Sequence, residues 1–278
     1  MKARSGRGIS IADAAEAAGV SFESLESWES GTGVPSPVQL AAVGRVLGLD
    51  SDKLVMLQQN KGHPDPVSVV PRTSGSLRVE TLTGFMRGYA VHAYLIYRDG
   101  EPDAVLIDTG YEPIRAVEAV LNRRLLLRWV ALTHCHHDHM EGAPVLKAQT
   151  GARIAVPKAE WASYRSYHRE APDLAVEDGT DVEVSSRLTL RAISTPGHTV
   201  GGTCYLTDHV CAVGDALFAS SMGRAMSPDG YRSLREAITN RILTLHSDTV
   251  LLPGHGPVTT VHDELRNNPF FPVSQLPG

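Results

Sequence analysis

The stretch Thr133-His134-Cys135-His136-His137-Asp138-His139 places four imidazoles and one carboxylate in the six positions after its threonine. The apolar run at residues 129–132 predicts a short buried strand before it, and residues 141–144 predict the start of a helix after it. The side chains are therefore expected on a loop that leaves a strand end, where rigid scaffolds usually present chemistry. Imidazole nitrogen and carboxylate oxygen suit zinc, and also iron or manganese where coordination positions stay open. Taken alone, the stretch is also compatible with a solvated His-rich turn.

Three further turns of similar design follow along the chain. They are Thr195-Pro196-Gly197-His198-Thr199, Gly214-Asp215-Ala216-Leu217-Phe218 and Pro253-Gly254-His255-Gly256-Pro257. Each comes after an apolar, strand-like run, at residues 188–193, 210–213 and 250–252. A single His or Asp in such a turn is more often structural. Four turns of this kind in one domain predict strand ends that converge on a metal site.

This pattern resembles the signature of the metallo-β-lactamase-fold superfamily, H-x-H-x-D-H followed by a separate His, Asp and His. The resemblance extends from about Ser76 to the C-terminus and implies an α/β domain, an αββα sandwich with metal ions at one edge. It implies one metal on His134, His136 and His198, a second on Asp138, His139 and His255, and Asp215 as the bridging ligand.

The implied cofactor is a pair of divalent metal ions, with zinc as the first expectation and iron or manganese as alternatives. Such a pair can bind a water between its two ions, lower the pKa of that water and polarise a carbonyl. Asp138 and Asp215 are the carboxylates expected to take part in catalysis. Asp108, in Leu106-Ile107-Asp108-Thr109-Gly110, also matches a family position and is expected to support the ligand loop. A plain helix-capping role for Asp108 stays open.

Within the superfamily, the chain resembles the glyoxalase II branch. The matching segments are residues 197–203, 214–218, 222–224, 254–260 and 268–270. Members of that branch hydrolyse thioesters such as S-lactoylglutathione. A thiol pKa is about 8.5, so a thiolate leaves near neutral pH without a dedicated general acid. Arg224, Phe218 and Tyr231 are the predicted substrate contacts, and the predicted partner is a small acyl-thioester or ester.

Three alternatives stay open at this point. A lactonase of the same fold often has a tyrosine three residues after the bridging Asp, where this chain has Phe218. A persulfide dioxygenase needs one iron on a two-His, one-carboxylate face, which His134, His198 and Asp215 could supply. The third alternative is a helix-turn-helix regulator whose metal domain senses a ligand.

The first sixty residues differ in character from the rest. Their spacing predicts helices at 9–17, 22–28, 37–47 and 52–58, with an earlier helix either missing or reduced to a stub. This pattern, with Trp28-Glu29-Ser30-Gly31 and Leu47-Gly48-Leu49, resembles the helix-turn-helix domain of Cro/C1-type repressors. The helix expected in the major groove, residues 21–29, carries three carboxylates and no Lys or Arg, and residues 1–60 hold five basic against seven acidic side chains. DNA is therefore disfavoured as a partner, because basic side chains supply most of the affinity for phosphate.

The chain is predicted to have a helix-turn-helix-like domain at residues 1–58, a Pro-containing linker at 59–74 and a catalytic domain at 75–278. Its 278 residues are 42% hydrophobic and 21% charged, with a formal charge of −5. No window approaches the roughly 18 apolar residues of a membrane span, and no signal-like stretch follows the N-terminus. We expect a cytoplasmic protein with no membrane partner, its three cysteines reduced. A homodimer formed through the apolar helical faces of the N-terminal domain is a further hypothesis.

Overall fold

The computed structural model describes residues 2–59 and 76–272. The predicted linker, apart from Gln59, lies outside the described residues, so the predicted domain boundaries stay a prediction. Among the described helices, none combines the length and apolarity needed to cross a membrane.

The N-terminal domain is formed by five short helices. They are α1 (Lys2–Gly6), α2 (Ile11–Ala18), α3 (Phe22–Ser30), α4 (Pro37–Val46) and α5 (Ser51–Gln58). The hydroxyls of Ser10, Ser21 and Ser36 each accept a hydrogen bond from the backbone N–H three residues later, which satisfies a free donor of the first helical turn. Helices α2 and α3 end at glycines in the left-handed region. The predicted helices are therefore confirmed, with ends shifted by one or two residues, and the earlier helix is present as the stub α1.

The rest of the chain alternates strands with helices. The strands are β1 (Leu77–Met86), β2 (Tyr89–Arg98), β3 (Asp103–Ile107), β4 (Leu126–Ala131), β5 (Arg153–Pro157), β6 (Leu174–Val176), β7 (Asp181–Ser185), β8 (Leu188–Ser194), β9 (Thr203–Thr207), β10 (Val210–Gly214), β11 (Leu217–Phe218), β12 (Ser221–Met222), β13 (Val250–Pro253) and β14 (Thr259–Thr260). The helices are α6 (Pro113–Asn122), α7 (His137–Met140), α8 (Ala143–Thr150), α9 (Trp161–Tyr167), α10 (Pro228–Ala237) and α11 (Val261–Asn267). A 3₁₀ turn (Lys158–Glu160) precedes α9, and a π-helical turn (Ile238–Ile242) extends α10.

Two six-stranded sheets form the centre of the catalytic domain. One has the strand order β1-β2-β3-β4-β5-β6, and the other has β14-β13-β10-β9-β8-β7. Apolar side chains of their facing surfaces, such as Ile96, Val105 and Leu190, form a core between the sheets. Helices α6 and α8 cover the first sheet, and α10 covers the second. The predicted αββα sandwich, preceded by a small all-α domain, is confirmed.

The N-terminal domain packs directly on the catalytic domain. Leu25, Val43 and Leu47 belong to the same buried cluster as Leu234 of α10 and Phe271 near the C-terminus. Polar contacts reinforce this packing, since the Lys53 ammonium donates to the carbonyls of Leu265 and Phe271 at 2.7 and 2.8 Å. The apolar helical faces that motivated the homodimer hypothesis thus have a partner within the chain. The oligomeric state stays a prediction.

Some elements differ from the sequence-based expectations. The ligand stretch is not entirely a loop, because α7 begins at His137 and holds Asp138 and His139 in a single helical turn. The elements that were not predicted are the short strands β5, β6, β7, β11, β12 and β14 and the helix α11. Their two to seven residues are too short for a clear periodic signal, and they are specified by pairing with neighbouring strands or by packing of Val261 and Glu264.

Candidate metal centre

Parallel strand pairs bring the candidate ligands to one edge of the sandwich. Strand β3 runs parallel to β4, so Asp108 and Thr133, which follow these strands, lie side by side, with His134 next in the chain. Strand β10 runs parallel to β13, so Asp215 and His255 meet in the same way in the second sheet. Because the carboxyl ends of parallel strands share an edge, the order of the strands determines which distant residues come together.

The seven candidate ligands form two adjacent groups of donor atoms. In each group, the donor atoms all lie within 4.8 Å of one another. The first group consists of His134, His136, His198 and Asp215, and the second consists of Asp138, His139 and His255. Asp215 also reaches the second group, since its Oδ1 is 3.4 Å from His139 Nε2 and its Oδ2 is 3.5 Å from His255 Nε2. The same Oδ2 is 3.5 Å from His198 Nε2 in the first group, so Asp215 lies between the two.

Hydrogen bonds fix the tautomers of His198 and His255, the two candidate histidine ligands that lie outside the stretch at residues 134–139. His198 Nδ1 lies 2.7 Å from the carbonyl oxygen of Arg224, and His255 Nδ1 lies 2.6 Å from that of Ala90. A carbonyl oxygen only accepts, so Nδ1 must carry the proton in both rings. In the neutral imidazole this leaves the Nε2 lone pair directed at the centre of the site, which is the form that binds a metal.

Asp108 lies directly behind the ligands and contacts two of the structural elements that carry them. Its side chain is 3% exposed and accepts hydrogen bonds from the backbone N–H and the hydroxyl of Thr133, at 2.7 and 2.8 Å. His139 Nδ1 lies 2.9 Å from Asp108 Oδ2. Asp108 therefore orients His139 and fixes the start of the ligand stretch. It occupies a left-handed conformation, with φ 58°, which Asp tolerates better than most residues.

The electrostatics of the site favour cations. Burial alone would lower the pKa of His139, but Asp215 and Asp108 raise it to about 9. Burial also opposes protonation of His255, yet hydrogen bonds to Asp138 and Asp215 raise its pKa to about 10. Burial would raise the pKa of Asp215, but the surrounding histidines hold it well below its usual range. In the absence of a metal, the carboxylates thus attract protons onto these two rings.

Two histidines of the first group have lowered pKa values, in contrast to His139 and His255. Burial, followed by the nearby His139, lowers the pKa of His134 well below its ordinary value, and burial and His198 lower that of His136. Their facing atoms, His134 Nε2 and His136 Nδ1, are 3.0 Å apart, and His198 Nε2 is also 3.0 Å from His136 Nδ1. Three imidazole nitrogens this close, in rings that resist protonation, form a donor set suited to a metal ion.

Two buried atoms indicate that the donor set fits a metal. His139 Nε2 and Asp215 Oδ1 are fully buried and have no hydrogen-bond partner within the described parts of the chain. A buried polar atom without a partner costs about 1–3 kcal/mol. The two atoms lie 3.4 Å from each other, and His139 Nε2 lies 3.8 Å from Asp138 Oδ2, so a cation bound among these donors would satisfy them. The site therefore fits the implied divalent ions.

A cavity of about 450 Å³ opens beside the ligands and is lined by His198, Asp215 and His255. Two of the predicted substrate contacts, Phe218 and Arg224, line it as well. The third, Tyr231, does not line this cavity. Its ring is buried under α1, where it packs against Gly6 and lines a different cavity between the two domains.

The sequence reasoning did not identify two residues at the site. Thr133 anchors the ligand stretch to Asp108, as described above, although it was quoted only as the start of the motif. Lys2 lines the cavity from the N-terminal domain. No local pattern marks Lys2, because its position there depends on how two parts of the chain pack, more than two hundred residues apart in sequence.

Comparison with known proteins assigns the chain to a family. Residues 86–255 match the family model of the metallo-beta-lactamase superfamily, and residues 2–55 match that of a helix-turn-helix domain. The chain belongs to the metallo-beta-lactamase superfamily. All seven candidate ligands lie within the range that matches this superfamily.

Relatives in the metallo-beta-lactamase superfamily include enzymes of two kinds. The hydroxyacylglutathione hydrolase GloC of Haemophilus influenzae is 29% identical over 62% of this chain and 89% of its own length. A hydroxyacylglutathione hydrolase of Acidiphilium cryptum is 36% identical over 59% of this chain and 63% of its own length. The human mitochondrial persulfide dioxygenase ETHE1 is 32% identical over 65% of this chain and 71% of its own length.

Solved structures give the same fold. The crystal structure of ETHE1 from Myxococcus xanthus has 28% identity and a TM-score of 0.58, over 68% of this chain and 83% of that chain. BLEG-1, a B3 metallo-beta-lactamase, has 24% identity and a TM-score of 0.61, over 69% of this chain and 99% of that chain. The shared part in both cases leaves about a third of this chain unmatched, enough to include the N-terminal helices.

Proposed function

We propose that the protein is a binuclear metal-dependent hydrolase that cleaves a thioester of the hydroxyacyl-thiol type, or a related ester. The observation that carries the proposal is the position of Asp215 between two complete ligand groups, within 3.5 Å of the Nε2 atoms of His198 and His255. The hydroxyacylglutathione hydrolases among its relatives support a thioester as the substrate class.

In this proposal, His134, His136 and His198 hold one ion, and Asp138, His139 and His255 hold the other, with Asp215 shared. The ions would supply Lewis-acid activation of a water molecule and of the thioester carbonyl. The chain contributes by orienting this set. The carbonyls of Arg224 and Ala90 keep His198 and His255 in the ligating tautomer, and Asp108 does the same for His139.

The surrounding residues suit a thioester. The cavity beside the ligands has a volume in the range of small-molecule sites, and Phe218 gives it an apolar wall. A thiolate leaves without a proton donor, so the reaction needs no general acid from the chain. Cleavage of an amide would require one, because an amine is a much poorer leaving group.

A mono-iron persulfide dioxygenase is the second candidate, and the persulfide dioxygenases among the relatives favour it. The two candidates differ in their dependence on the second ligand group. The dioxygenase needs only His134, His198 and Asp215, whereas the hydrolase also needs His255.

The test begins with metal content per chain, measured by elemental analysis of protein purified without added metal. We expect about two ions per chain and hydrolysis of S-lactoylglutathione, with His255→Ala losing one ion and at least about 100-fold in kcat/KM. His246→Ala, which removes a mostly exposed histidine, is the matched control. About one iron per chain, oxygen uptake with a persulfide and an active His255→Ala variant would refute the hydrolase and support the dioxygenase.

A further inference from the structure

The seven candidate ligands together form a metal-binding cluster, and the cavity beside this cluster is formed by both domains. Helix α1 of the N-terminal domain contributes Lys2 to its wall, and the catalytic domain contributes the ligand residues and Arg224. We propose that Lys2, together with Arg224, binds an anionic group of the substrate, a carboxylate on its thiol part. This inference about Lys2 rests on the proposed function in one respect, because it takes the bound molecule to be a thioester.

The ammonium of Lys2 is held inside the cavity. Its Nζ donates a hydrogen bond to the carbonyl oxygen of Met222 at 3.1 Å and lies 4.6 Å from the centre of the Phe218 ring. An ammonium has three donors, and the Met222 carbonyl accepts one of them. Lys2 and Asp215 line the same cavity, and burial lowers the pKa of Lys2 more than the negative charge of Asp215 raises it.

Helix α1 is fixed firmly enough to place Lys2 accurately. The guanidinium of Arg4 donates to both carboxylate oxygens of Glu29 in α3, each at 2.8 Å. On the other side of the helix, Gly6 is packed so closely against Tyr231 of α10 that a Cβ atom at that position would overlap the ring. A lysine on a helix so anchored has lost much of the freedom that an exposed lysine keeps, and this loss favours ligand binding.

The same contacts connect the N-terminal domain to the ligands. Helix α10, which holds α1, also packs against Gly197, where an added Cβ atom would overlap the backbone of Gly230 and the side chain of Leu234. Gly197 directly precedes the ligand His198. The position of Lys2 relative to the metal-binding cluster is therefore set by two tightly packed contacts, α1 on α10 and α10 on the His198 turn.

The charges of the cavity determine the kind of group that Lys2 and Arg224 would bind. Asp215 is the single carboxylate among the residues lining this cavity, and it belongs to the metal-binding cluster. Arg224 is exposed, and its guanidinium forms no hydrogen bond or ion pair within residues 2–59 and 76–272. Both cations line the cavity, and the Phe218 ring lies 4.6 Å from the Lys2 ammonium and 6.0 Å from the His255 ring. Two cations beside an aromatic wall suit a chain that ends in a carboxylate.

The experiment compares two thioesters that share one acyl group. S-lactoylglutathione carries carboxylates on its thiol part, and the S-lactoyl thioester of N-acetylcysteamine is neutral. For Lys2→Met, we expect kcat/KM to fall by about 10-fold or more for the first, mainly through KM, and by less than about 3-fold for the second. Methionine keeps the apolar packing on Phe218 but removes the charge. Lys2→Arg should restore most of the loss.

Lys158→Met is the matched control, because it removes a surface lysine whose ion pair with Glu177 is mostly exposed. It should leave both substrates unaffected. An equal loss on the two substrates with Lys2→Met, or no loss on either, would overturn the proposal while the hydrolase function stood. An unchanged melting temperature of the metal-loaded variant shows that the fold is intact.

A binding measurement separates this proposal from the proposed function. We expect S-methylglutathione, which cannot be hydrolysed, to bind the zinc-loaded protein in calorimetry about 10-fold more weakly after Lys2→Met. If binding is weakened in this way but the protein hydrolyses no thioester, the hydrolase function is wrong and the anion site is still supported. Binding that does not depend on Lys2 would overturn the anion site, whatever the activity.

Discussion

Substitution of Asp108 by Asn tests how the chain prepares His139 for a metal. Asn has nearly the same shape and tolerates the left-handed backbone at this position, so the fold should be kept. One oxygen of the side chain still accepts from the Thr133 N–H. The other becomes an amide nitrogen that donates towards His139 Nδ1, now 2.9 Å from a carboxylate oxygen. His139 must then move its proton to Nε2, the atom that faces Asp215.

The magnitude follows from that change of tautomer. The wild-type pair is a buried, charge-assisted hydrogen bond, and bonds of this kind contribute about 1.5–3 kcal/mol. Loss of a residue that orients a ligand typically lowers metal affinity by about 10–100-fold, which corresponds to about 1.4–2.8 kcal/mol. The two figures agree. We therefore expect one of two zinc equivalents to bind 10–100-fold more weakly in Asp108→Asn.

The assay is competition for zinc between the protein and a fluorescent chelator, which resolves the two equivalents. Asp103→Asn is the matched control, since Asp103 begins β3, the strand that Asp108 follows, and forms a partly exposed ion pair with Arg128. It should leave both affinities unchanged. If Asp108→Asn binds both zinc equivalents within about twofold of the wild type, then Asp108 does not determine the state of His139 and the reasoning fails.

Three further predictions concern pH, packing at the ligands and the contact between the domains. In metal-free protein the pKa values of His139 and His255 are raised to about 9 and 10, so their stabilisation is complete below about pH 6.5 and is lost as the pH rises through those values. The melting temperature in a chelator should therefore fall between pH 6.5 and 10, and a flat profile would contradict this. Gly254→Ala should abolish metal retention in elemental analysis, because its Cβ would overlap Asp215 and His139, and two retained ions would refute it. Leu25→Ala should lower the free energy of unfolding of the whole chain by about 2–5 kcal/mol, because Leu25 is 2% exposed in a core shared by both domains. Denaturant unfolding should show a single transition, whereas separate transitions would show independent domains.

The carboxylates on the surface of the N-terminal domain are consistent with the expectation from the sequence that DNA is disfavoured as a partner. Glu23 and Glu26 of α3 are exposed, and Glu29 is held by Arg4. These carboxylates lie on the helix that corresponds to the DNA-reading helix of related domains. We propose instead that this domain acts in substrate binding through Lys2. The expectation that it does not bind DNA stays a prediction.

The sequence by itself located the seven candidate ligands, and their resemblance to the signature of the metallo-β-lactamase-fold superfamily implied the αββα fold. The ligands could be located because their signal is local. Each ligand follows a short apolar strand in a turn containing Gly or Pro, or lies in the dense run that begins at His134, and these patterns are visible over a few residues. The same holds for the helices of the N-terminal domain, because their serine caps and terminal glycines are read within single turns.

Only the tertiary structure decided which distant residues share the site. The parallel pairing of β10 with β13 places Asp215 beside His255, and no property of either segment alone specifies that partner. The packing of α1 on α10 buries Tyr231 away from the cleft and places Lys2 in the cleft wall. One buried surface formed by both domains encloses the Tyr231 ring and positions α1. Contacts of this kind depend on shape complementarity between surfaces formed by segments far apart in the sequence, so local sequence patterns do not reveal them.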